Sequence, residues 1–553
     1  MATFKADTKL LFSNGYIRPS LPWILVLFGA AIAVGAYLQA LNYPFVSDDI
    51  PYITHNTKLS ELPLTQLWRL FTEPFNMYSE FLPLRELSYR LDMALFGINA
   101  PAFRLENIFL YLLCLPLVYC LTSWLWEYFR PEDKLSARWI AAVVTVLFVL
   151  HPSHAEAVVW ISGRKDVLST LFSLLALWFS VLARREQGLA VPYAVAALFA
   201  LLAAILSKAS SVAVAPVIAM IWLMFWRDVP ARARRNSVLL WPLASIVLAG
   251  GMAIIFAGFT TQRVPFYFGV EVVTRTLAIL GWLGRLAVSP ESRHICYPVL
   301  DDPYMAGMVI LGLLILLATL AGGVTLLRKR SLEGFALVSF LLLCLPSLQL
   351  IPYSPPSLAS DRWIALACWP VLLLTVSLAW RLKPWPRITL LLVLVLSFAF
   401  QTINRATDWS SEDHLWDVDM RAYPGYYVPT YIKITLQPLG GPESYERVLK
   451  MADSISDPDA KSITIALINS DRAVFGTDPQ GDPRDAIASL KYVESLLGHP
   501  PAKIKWDAAM QNFWRDSQGK LTNLWQHLVS SFPNNQSVHY GAATSRRYQI
   551  GDE

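Results

Sequence analysis

The chain has 553 residues, of which 55% are hydrophobic and 16% are charged, and its formal net charge at pH 7 is +5. Many apolar runs reach the roughly 18 to 20 residues that span a bilayer, which excludes an ordinary soluble globular protein. The small net charge gives no indication of nucleic-acid binding. Four of the five cysteines lie in apolar runs, so we expect no disulfide framework.

Eleven apolar segments follow one another along the chain, and each is predicted to form a transmembrane helix. The segments lie at about 21–41, 104–127, 137–151, 166–183, 190–207, 211–226, 237–258, 304–327, 332–350, 361–380 and 387–403. Short basic loops such as Arg328-Lys329-Arg330 occur at every second junction, as the positive-inside rule requires of cytoplasmic loops. Residues 1–20 are therefore predicted to be cytoplasmic.

One further apolar segment, 271–289, would break this alternation if it crossed the membrane. It carries Arg275 and Arg285, and two arginines in a lipid-facing span are costly. We therefore expect a re-entrant or interfacial segment here. Eleven crossings then place the polar tail 404–553 outside. Its pattern predicts a domain of amphipathic helices with weak, degenerate repeats, at about 410–421, 443–455, 459–475, 483–497, 502–517 and 519–531.

The predicted fold is thus an all-α polytopic membrane protein, with a transmembrane domain over 21–403 and an extracytoplasmic helical domain over 404–553. The loops on the predicted outer face hold the unusual polar residues. These loops are 42–103, 151–166, 207–211, 259–303 and 352–363. Because random placement would not gather them on one face, we infer a single extracytoplasmic active or binding site.

An acidic pair, Asp48 and Asp49, lies just after the first helix. One carboxylate of such a pair can act as a general base while its neighbour fixes its orientation or raises its proton affinity. The alternative is a solvated helix end or an N-cap for the next helix.

A dense polar string, HPSHAEAVVWISGRKD, covers 151–166. His151, His154 and Glu156 have a spacing that suits a metal, but it also suits a loop whose side chains bond the backbone. Arg164 and Asp166 are predicted to form an ion pair at the mouth of the following helix. A structural role for the string stays as open as a catalytic one.

Several side chains that bind anions share the same face of the membrane. They are Lys208, Arg285, Arg362, Arg85, His294 and Tyr297. Convergence of such groups on one outward cavity would suit a phosphate, with arginine giving bidentate contact and lysine a point charge. Alternatively, Lys208 only extends to the membrane interface.

The motifs, taken in order, are similar to those of a known family. They are the acidic pair, LPLRELSYRLDMALFG (82–97), HPSHAEAVVWISGRKD (151–166), LSK (206–208), LGRLAVSP (283–290) and DRW (361–363). The sequence resembles the polytopic GT-C glycosyltransferases over about residues 20–425. The resemblance is strongest to the transmembrane and tetratricopeptide-repeat O-mannosyltransferases and their bacterial relatives, and weaker to the arabinosyltransferases that modify type IV pilins.

The resemblance implies an inverting transfer of a sugar from a polyprenyl-phosphate donor to an acceptor hydroxyl outside the cytoplasm. The family's acidic pair maps onto Asp48 and Asp49, and we expect one of them to be the base. We expect the six cationic and polar side chains named above to bind the donor phosphate. We expect the sugar or acceptor to lie beside His151, His154, Glu156, Arg164 and Asp166. The resemblance implies no cofactor and no metal. We expect a bacterial inner membrane, a periplasmic tail, a protein acceptor such as a pilin, membrane lipids as surroundings, and no nucleic-acid partner.

Other functions stay open at this point. The acceptor could be a lipid, a lipopolysaccharide or another envelope glycan. A transporter or flippase could also use an outward polar cavity, although transporters usually have internal repeats and midplane sites. A third alternative is a non-catalytic assembly or receptor protein that binds through its helical tail.

Overall fold

The computed structural model describes residues 21–76, 80–185, 190–224, 270–288, 303–350, 359–436, 442–476, 483–498 and 508–531, with the isolated residues 245, 248, 250, 251, 297, 533, 538 and 542. The described part of the chain is all-helical and contains no strand, which confirms the all-α class. Apart from four of these isolated residues, the predicted span 237–258 lies outside the described residues, as does most of the predicted loop 259–303.

The described residues between 21 and 407 form a bundle of apolar helices. Their bounds are Leu21–Leu38, Ala100–Leu112, Cys114–Phe129, Lys134–Val149, Arg164–Arg185, Ala190–Ser207, Val214–Met224, Val270–Val288, Pro303–Leu317, Val324–Arg328, Leu332–Cys344, Cys368–Ala379 and Pro384–Thr407. Within the described residues, six continuous helical stretches are long and apolar enough to cross a membrane. The chain is therefore an integral membrane protein, and the number of eleven crossings stays a prediction.

The segment 271–289 forms one helix, Val270–Val288, which packs closely on Pro303–Leu317. Glycines at two crossing points permit this contact. A Cβ at Gly281 would lie 2.0 Å from the Met308 carbonyl oxygen, and one at Gly312 would lie 1.9 Å from that of Leu277. The helix is absent from the six spanning stretches, and its predicted re-entrant or interfacial position stays a prediction.

The helix Lys134–Val149 lies at the centre of the bundle. It packs against the helices Leu21–Leu38, Cys114–Phe129, Cys368–Ala379 and Pro384–Thr407. Its side chains from Ile140 onward are almost all buried, so burial of apolar surface fixes this helix among its neighbours. The polar string 151–166 begins directly at its end and is therefore held in place by the core.

A cluster of polar contacts joins several helices at those of their ends that are predicted to be cytoplasmic. The Glu333 carboxylate accepts hydrogen bonds from Arg130 and Arg381, both at 2.7 Å, and from the Ser377 hydroxyl at 2.9 Å. These contacts tie together elements that are far apart in sequence, at the face opposite the polar loops.

The loop 42–103 is the first on the predicted outer face and is called the first external loop below. It folds into short elements around its own apolar cluster. Their bounds are Ile50–Thr54, Thr57–Ser60, Leu64–Phe71 and Pro83–Phe96. Tyr52, Phe75, Tyr89 and Phe103 are among the buried side chains of this cluster. The loop is therefore a packed unit that fixes the position of the acidic pair at its start.

The tail forms a succession of helices with a separate apolar core, which includes Trp514 and Trp525. The helices are Glu412–Ala422, Tyr427–Leu436, Pro442–Asp453, Pro458–Gly476, Arg484–Leu497 and Ala508–Ser531. Sequence patterning missed Tyr427–Leu436 because prolines and glycines flank it. It also divided Ala508–Ser531 in two at Gly519, which the structure accommodates within one helix.

Candidate active site

Four separate parts of the chain meet at the predicted outer ends of the helices. They are the turn at Asp48, the string Trp160–Asp166, Lys208 after its helix, and the short helix Asp361–Ile364. The convergence inferred from the sequence is therefore present in the fold. The individual side chains differ strongly in whether they face the cavity or the core.

Asp49 is fully buried and is bonded on both carboxylate oxygens. Oδ1 accepts hydrogen bonds from the backbone N–H and the hydroxyl of Ser162, at 2.8 and 2.7 Å, and Oδ2 accepts one from the Val46 N–H at 3.2 Å. Burial raises the pKa of Asp49 to about 6, against the opposing effect of these bonds. Asp49 thus joins the first external loop to the 151–166 string, and its oxygens are occupied.

Asp48 differs from its neighbour because its half-buried carboxylate makes no hydrogen bond or ion pair with any described residue. It lies near Lys165 and Arg362. Burial raises the pKa of Asp48, and the nearby Glu80 carboxylate adds to the rise, while Lys165 and Arg362 oppose it. A carboxylate that is unbonded, partly desolvated and beside two cations is suited to accept a proton from a bound hydroxyl.

Lys165 was not among the predicted site residues. Its ammonium group lies 5.8 Å from the ring of Tyr52 and 6.0 Å from that of Trp160, and it has no hydrogen-bond partner among the described residues. Its charge opposes the raised pKa of Asp48 and contributes to the low pKa of Glu80. The string contains two cations, Arg164 and Lys165, and only Arg164 was among the residues singled out from the sequence.

Arg362 is held in a clamp at the start of its short helix. Its Nη1 donates to Glu156 and to the Ser360 hydroxyl, while its backbone N–H donates to Glu156 Oε2 at 2.9 Å. Its guanidinium lies 4.9 Å from the ring of Trp160. Burial opposes the charged form, yet Glu156, Asp166 and Asp48 together raise the pKa of Arg362 above its ordinary value. The clamp therefore fixes a permanent cation beside Asp48.

Lys208 forms an ion pair with Asp166, with 2.5 Å between Nζ and Oδ1. The same carboxylate lies 3.8 Å from Arg362 Nε. Asp166, Lys208 and Arg362 line a cavity of about 40 Å³, which is also lined by Ser169, Thr170, Ser173, Ser210 and Ser211 and by apolar residues. Two cations and a set of hydroxyls can bind the oxygens of an anion.

Arg85 does not face this cavity as an available cation. It is fully buried, its Nη1 donates to Glu80 at 3.1 Å and its Nη2 donates to Glu86 at 2.5 Å. Its guanidinium also lies 4.1 Å from the ring of Tyr52, which in turn donates a hydrogen bond to Glu80. Arg85 therefore supports the wall of the site, and direct contact with a phosphate is not favoured.

The predicted ion pair between Arg164 and Asp166 is wrong. Arg164 is fully buried and pairs instead with Asp92 at 2.6 Å and Glu106 at 3.0 Å. It also donates to the Asn107 side chain at 2.7 Å. Successive helical residues point about 100° apart, so Arg164 faces the interior while Asp166 faces Lys208. Arg164 holds the first external loop against the helix bundle.

The two histidines are also buried in the structural core. His154 Nδ1 lies 2.8 Å from the Tyr111 hydroxyl, and Nε2 lies 2.9 Å from the Ala365 carbonyl oxygen. Both rings are buried, and burial lowers the pKa of His154 to about 4, which favours its neutral form. His151, His154 and Cys368 lie within 4.8 Å of one another, but the nitrogens of His154 already contact protein partners. The geometry favours a supporting role for both rings.

The remaining predicted phosphate ligands are placed less directly. The Tyr297 hydroxyl donates a hydrogen bond to Asp361, which also pairs with Arg405 at 2.9 Å. Tyr297 and Arg405 thus contact the residue that precedes Arg362 in the chain. Arg285 is half-buried and lies 5.5 Å from the ring of Trp282. His294 lies outside the described residues. Arg405 was missed because it is the last basic residue of an apolar helix and carries no motif.

Together these observations define a polytopic helical membrane protein with a polar, partly desolvated site on the predicted outer face. No family model matches the chain. The chain is 33% identical over 174 residues to the protein O-mannosyl-transferase TMTC1 of Mus musculus. This match covers 29% of this chain and 17% of that protein. It is also 28% identical over 202 residues to the protein O-mannosyl-transferase TMTC4 of Homo sapiens. This match covers 34% of this chain and 26% of that protein.

These matches confirm the resemblance to the O-mannosyltransferase branch that the motifs indicated. The matched segments span only 17 to 26% of the length of these two relatives. Among solved structures, an archaeal oligosaccharyltransferase AglB of Archaeoglobus fulgidus aligns with 82% of this chain and 60% of its own, at 14% identity and a TM-score of 0.44. ArnT of Cupriavidus metallidurans aligns with 96% of this chain and 89% of its own, at 12% identity and a TM-score of 0.39.

Proposed function

We propose that this chain is an inverting glycosyltransferase that moves one sugar from a polyprenyl-phosphate donor to a hydroxyl of a protein, on the non-cytoplasmic side of the membrane. The observation that carries the proposal is the contrast within the acidic pair. Asp49 is bonded on both oxygens, whereas Asp48 is unbonded within the described chain and lies beside two cations. The names of the matched relatives support a transfer to protein.

In the proposed reaction, the Asp48 carboxylate takes the proton of the acceptor hydroxyl. The acceptor oxygen forms a bond to the anomeric carbon, and the bond from that carbon to the phosphate oxygen breaks with its electron pair going to the phosphate. The attack comes from the face opposite the phosphate, so the configuration inverts. Polyprenyl phosphate is a good leaving group, so a general acid is not required.

The leaving phosphate gains negative charge, and preorganised positive charge stabilises that change. We assign this role to Arg362 and Lys165, together with Lys208, which lines the hydroxyl-containing cavity. Glu156 holds Arg362 in place and Asp166 holds Lys208 in place. These side chains therefore need to move little when negative charge develops on the phosphate. We propose that the reaction proceeds without a metal or a cofactor.

The decisive experiment compares intact-protein mass spectra of envelope proteins from cells that carry the wild-type chain or Asp48→Asn. A sugar-sized mass on one protein, present with the wild type and lost with the variant, supports the proposal and identifies the acceptor. Glu61→Gln is the matched control, since Glu61 is an exposed acid in the same external loop. It is expected to retain the modification.

A different result would redirect the assignment. If both chains are expressed equally and no protein mass changes, protein is the wrong acceptor, and labelled envelope glycolipids are the next acceptors to compare. If Asp48→Asn retains full modification, Asp48 is not the base. A separate assay identifies the donor. It uses purified protein in liposomes with a panel of undecaprenyl-phosphate monosaccharides, beginning with mannose because the matched relatives are named mannosyl-transferases.

A further inference from the structure

The tail of the chain contacts the active site at three points through the short segment 405–412. Arg405 pairs at 2.9 Å with Asp361, the residue that precedes Arg362. The Trp409 ring stacks on Trp160 at 5.3 Å between centroids, and Trp160 in turn contacts the Arg362 guanidinium. The third contact joins Glu412 to the turn that carries Asp48.

Glu412 is the first residue of the first tail helix, Glu412–Ala422. Its Oε2 accepts a hydrogen bond from the Ser47 backbone N–H at 2.5 Å, and its Oε1 accepts one from the Trp416 indole N–H at 2.8 Å. Both oxygens are therefore engaged, and the indole fixes the carboxylate that holds Ser47. The contact joins residues 365 positions apart in sequence.

Ser47 has an unusual backbone conformation. Its φ is +53°, in the left-handed region that residues with a side chain rarely adopt. The next residue is Asp48, and the tight turn continues with the Ile50 N–H donating to the Ser47 carbonyl oxygen at 3.2 Å. A strained residue persists only where its surroundings hold it, and the Glu412 carboxylate supplies such a restraint.

We propose that Glu412 is a positioning residue, whose hydrogen bond to Ser47 holds the turn that keeps the Asp48 carboxylate near Lys165 and Arg362. The inference rests on the proposed function, because it assigns Glu412 a role in that same reaction. It also makes the first tail helix part of the catalytic centre, in addition to any role in binding the acceptor.

The test uses the full-length protein in liposomes, with undecaprenyl-phosphate-mannose or whichever donor of the panel the wild type accepts. Glu412→Ala is expected to lower kcat about 10- to 100-fold, since displacement of a reacting group by about 1 Å can cost roughly 100-fold in rate. The KM for the donor is expected to stay within about twofold of the wild-type value, because the phosphate ligands are untouched. Glu412→Gln keeps one acceptor oxygen for Ser47 and is expected to lose less activity than Glu412→Ala.

The matched control is Asp413→Ala in the same helical turn, where the carboxylate is largely exposed and lies 3.5 Å from Lys433. It is expected to retain wild-type kcat. A second variant tests the turn itself. Glycine adopts positive φ without steric cost, so Ser47→Gly combined with Glu412→Ala is expected to recover several-fold of the lost activity.

The electrostatic coupling between Asp48 and Lys165, measured through the pH–rate profile, separates positioning from a purely structural role of Glu412. Lys165→Ala is expected to shift the acid limb of the pH–rate profile when Asp48 is held beside it, and this shift is expected to shrink in the Glu412→Ala background. Wild-type kcat in Glu412→Ala, or an undiminished pH shift, overturns the positioning role alone. If the wild type transfers sugar from no donor of the panel, the proposed function fails and the positioning role fails with it.

Discussion

Asp49 Oδ1 accepts two hydrogen bonds from one residue, Ser162, through its backbone N–H and its hydroxyl. This contact fixes the first external loop to the 151–166 string and leaves Asp48 as the available acid of the pair. The two adjacent carboxylates are therefore expected to respond differently to the same substitution.

Asp48→Asn is expected to lower sugar transfer by 100-fold or more and to leave the thermal stability of the detergent-solubilised protein unchanged. Asp49→Asn is expected to lower stability by about 1 to 3 kcal/mol, because its amide NH₂ would face the Val46 N–H and leave a buried donor without an acceptor. Activity assays with thermal melts on both variants measure the difference. Equal losses of stability would contradict the division of roles.

The charge on Lys165 is expected to set the pH dependence of transfer. Asp48 must be deprotonated to act as the base, so activity falls as pH drops through its pKa. Lys165 opposes the rise of that pKa, so Lys165→Ala is expected to raise the pKa and move the acid limb of kcat to higher pH. Glu80 acts in the opposite sense, so Glu80→Gln is expected to move the limb to lower pH. Shifts in the same direction would remove Asp48 as the titrating group.

Arg362→Lys is expected to reduce kcat/KM for the lipid-linked donor by at least about tenfold, although the charge is kept. Lysine lacks the planar fork that bonds Glu156 and Ser360 and that contacts the Trp160 ring. Arg381→Lys is the matched control at the opposite face, where Arg381 pairs with Glu333. Donor titrations at fixed acceptor concentration measure the effect, and unchanged donor kinetics would remove Arg362 from the phosphate site.

Arg164→Met is expected to destabilise the protein by about 3 to 5 kcal/mol, because it leaves Asp92 buried without its cation. The double variant Arg164→Met with Asp92→Asn is expected to recover part of this loss. Lys165→Met is the neighbouring control and is expected to keep the wild-type melting temperature. Melting curves in detergent, followed by size-exclusion chromatography, compare the variants. A stable Arg164→Met protein would show that the loop does not depend on this pair.

Much of the architecture could be predicted from hydropathy and charge. The apolar runs predicted an integral helical membrane protein, and the placement of polar loops on one face predicted that Asp48, Asp166, Lys208 and Arg362 would share a site. These inferences rest on bilayer thickness and on the cost of burying charge, which apply wherever the chain folds.

The roles of adjacent residues could not be predicted in this way. Arg164 and Lys165 are both basic and consecutive, yet Arg164 pairs with Asp92 in the core and Lys165 lies near Asp48. Which one faces inward depends on the rotation of their helix, and that rotation is set by packing against distant segments. The contact between Glu412 and Ser47 escaped for the same reason, since neither residue carries a local pattern that indicates the other.

Arg164 and Lys165 are consecutive and both buried, but Arg164 pairs with Asp92 while Lys165 lies near Asp48, which bears on how sequences with a WISGRKD string should be interpreted. The string combines one residue that secures the fold with one that serves the proposed chemistry. A chain that keeps the arginine but replaces the lysine and the first aspartate of the acidic pair is expected to fold in the same way and to transfer no sugar. Enzymes and inactive proteins of the same shape would then be told apart by two positions, Asp48 and Lys165, and not by the length of the matching string.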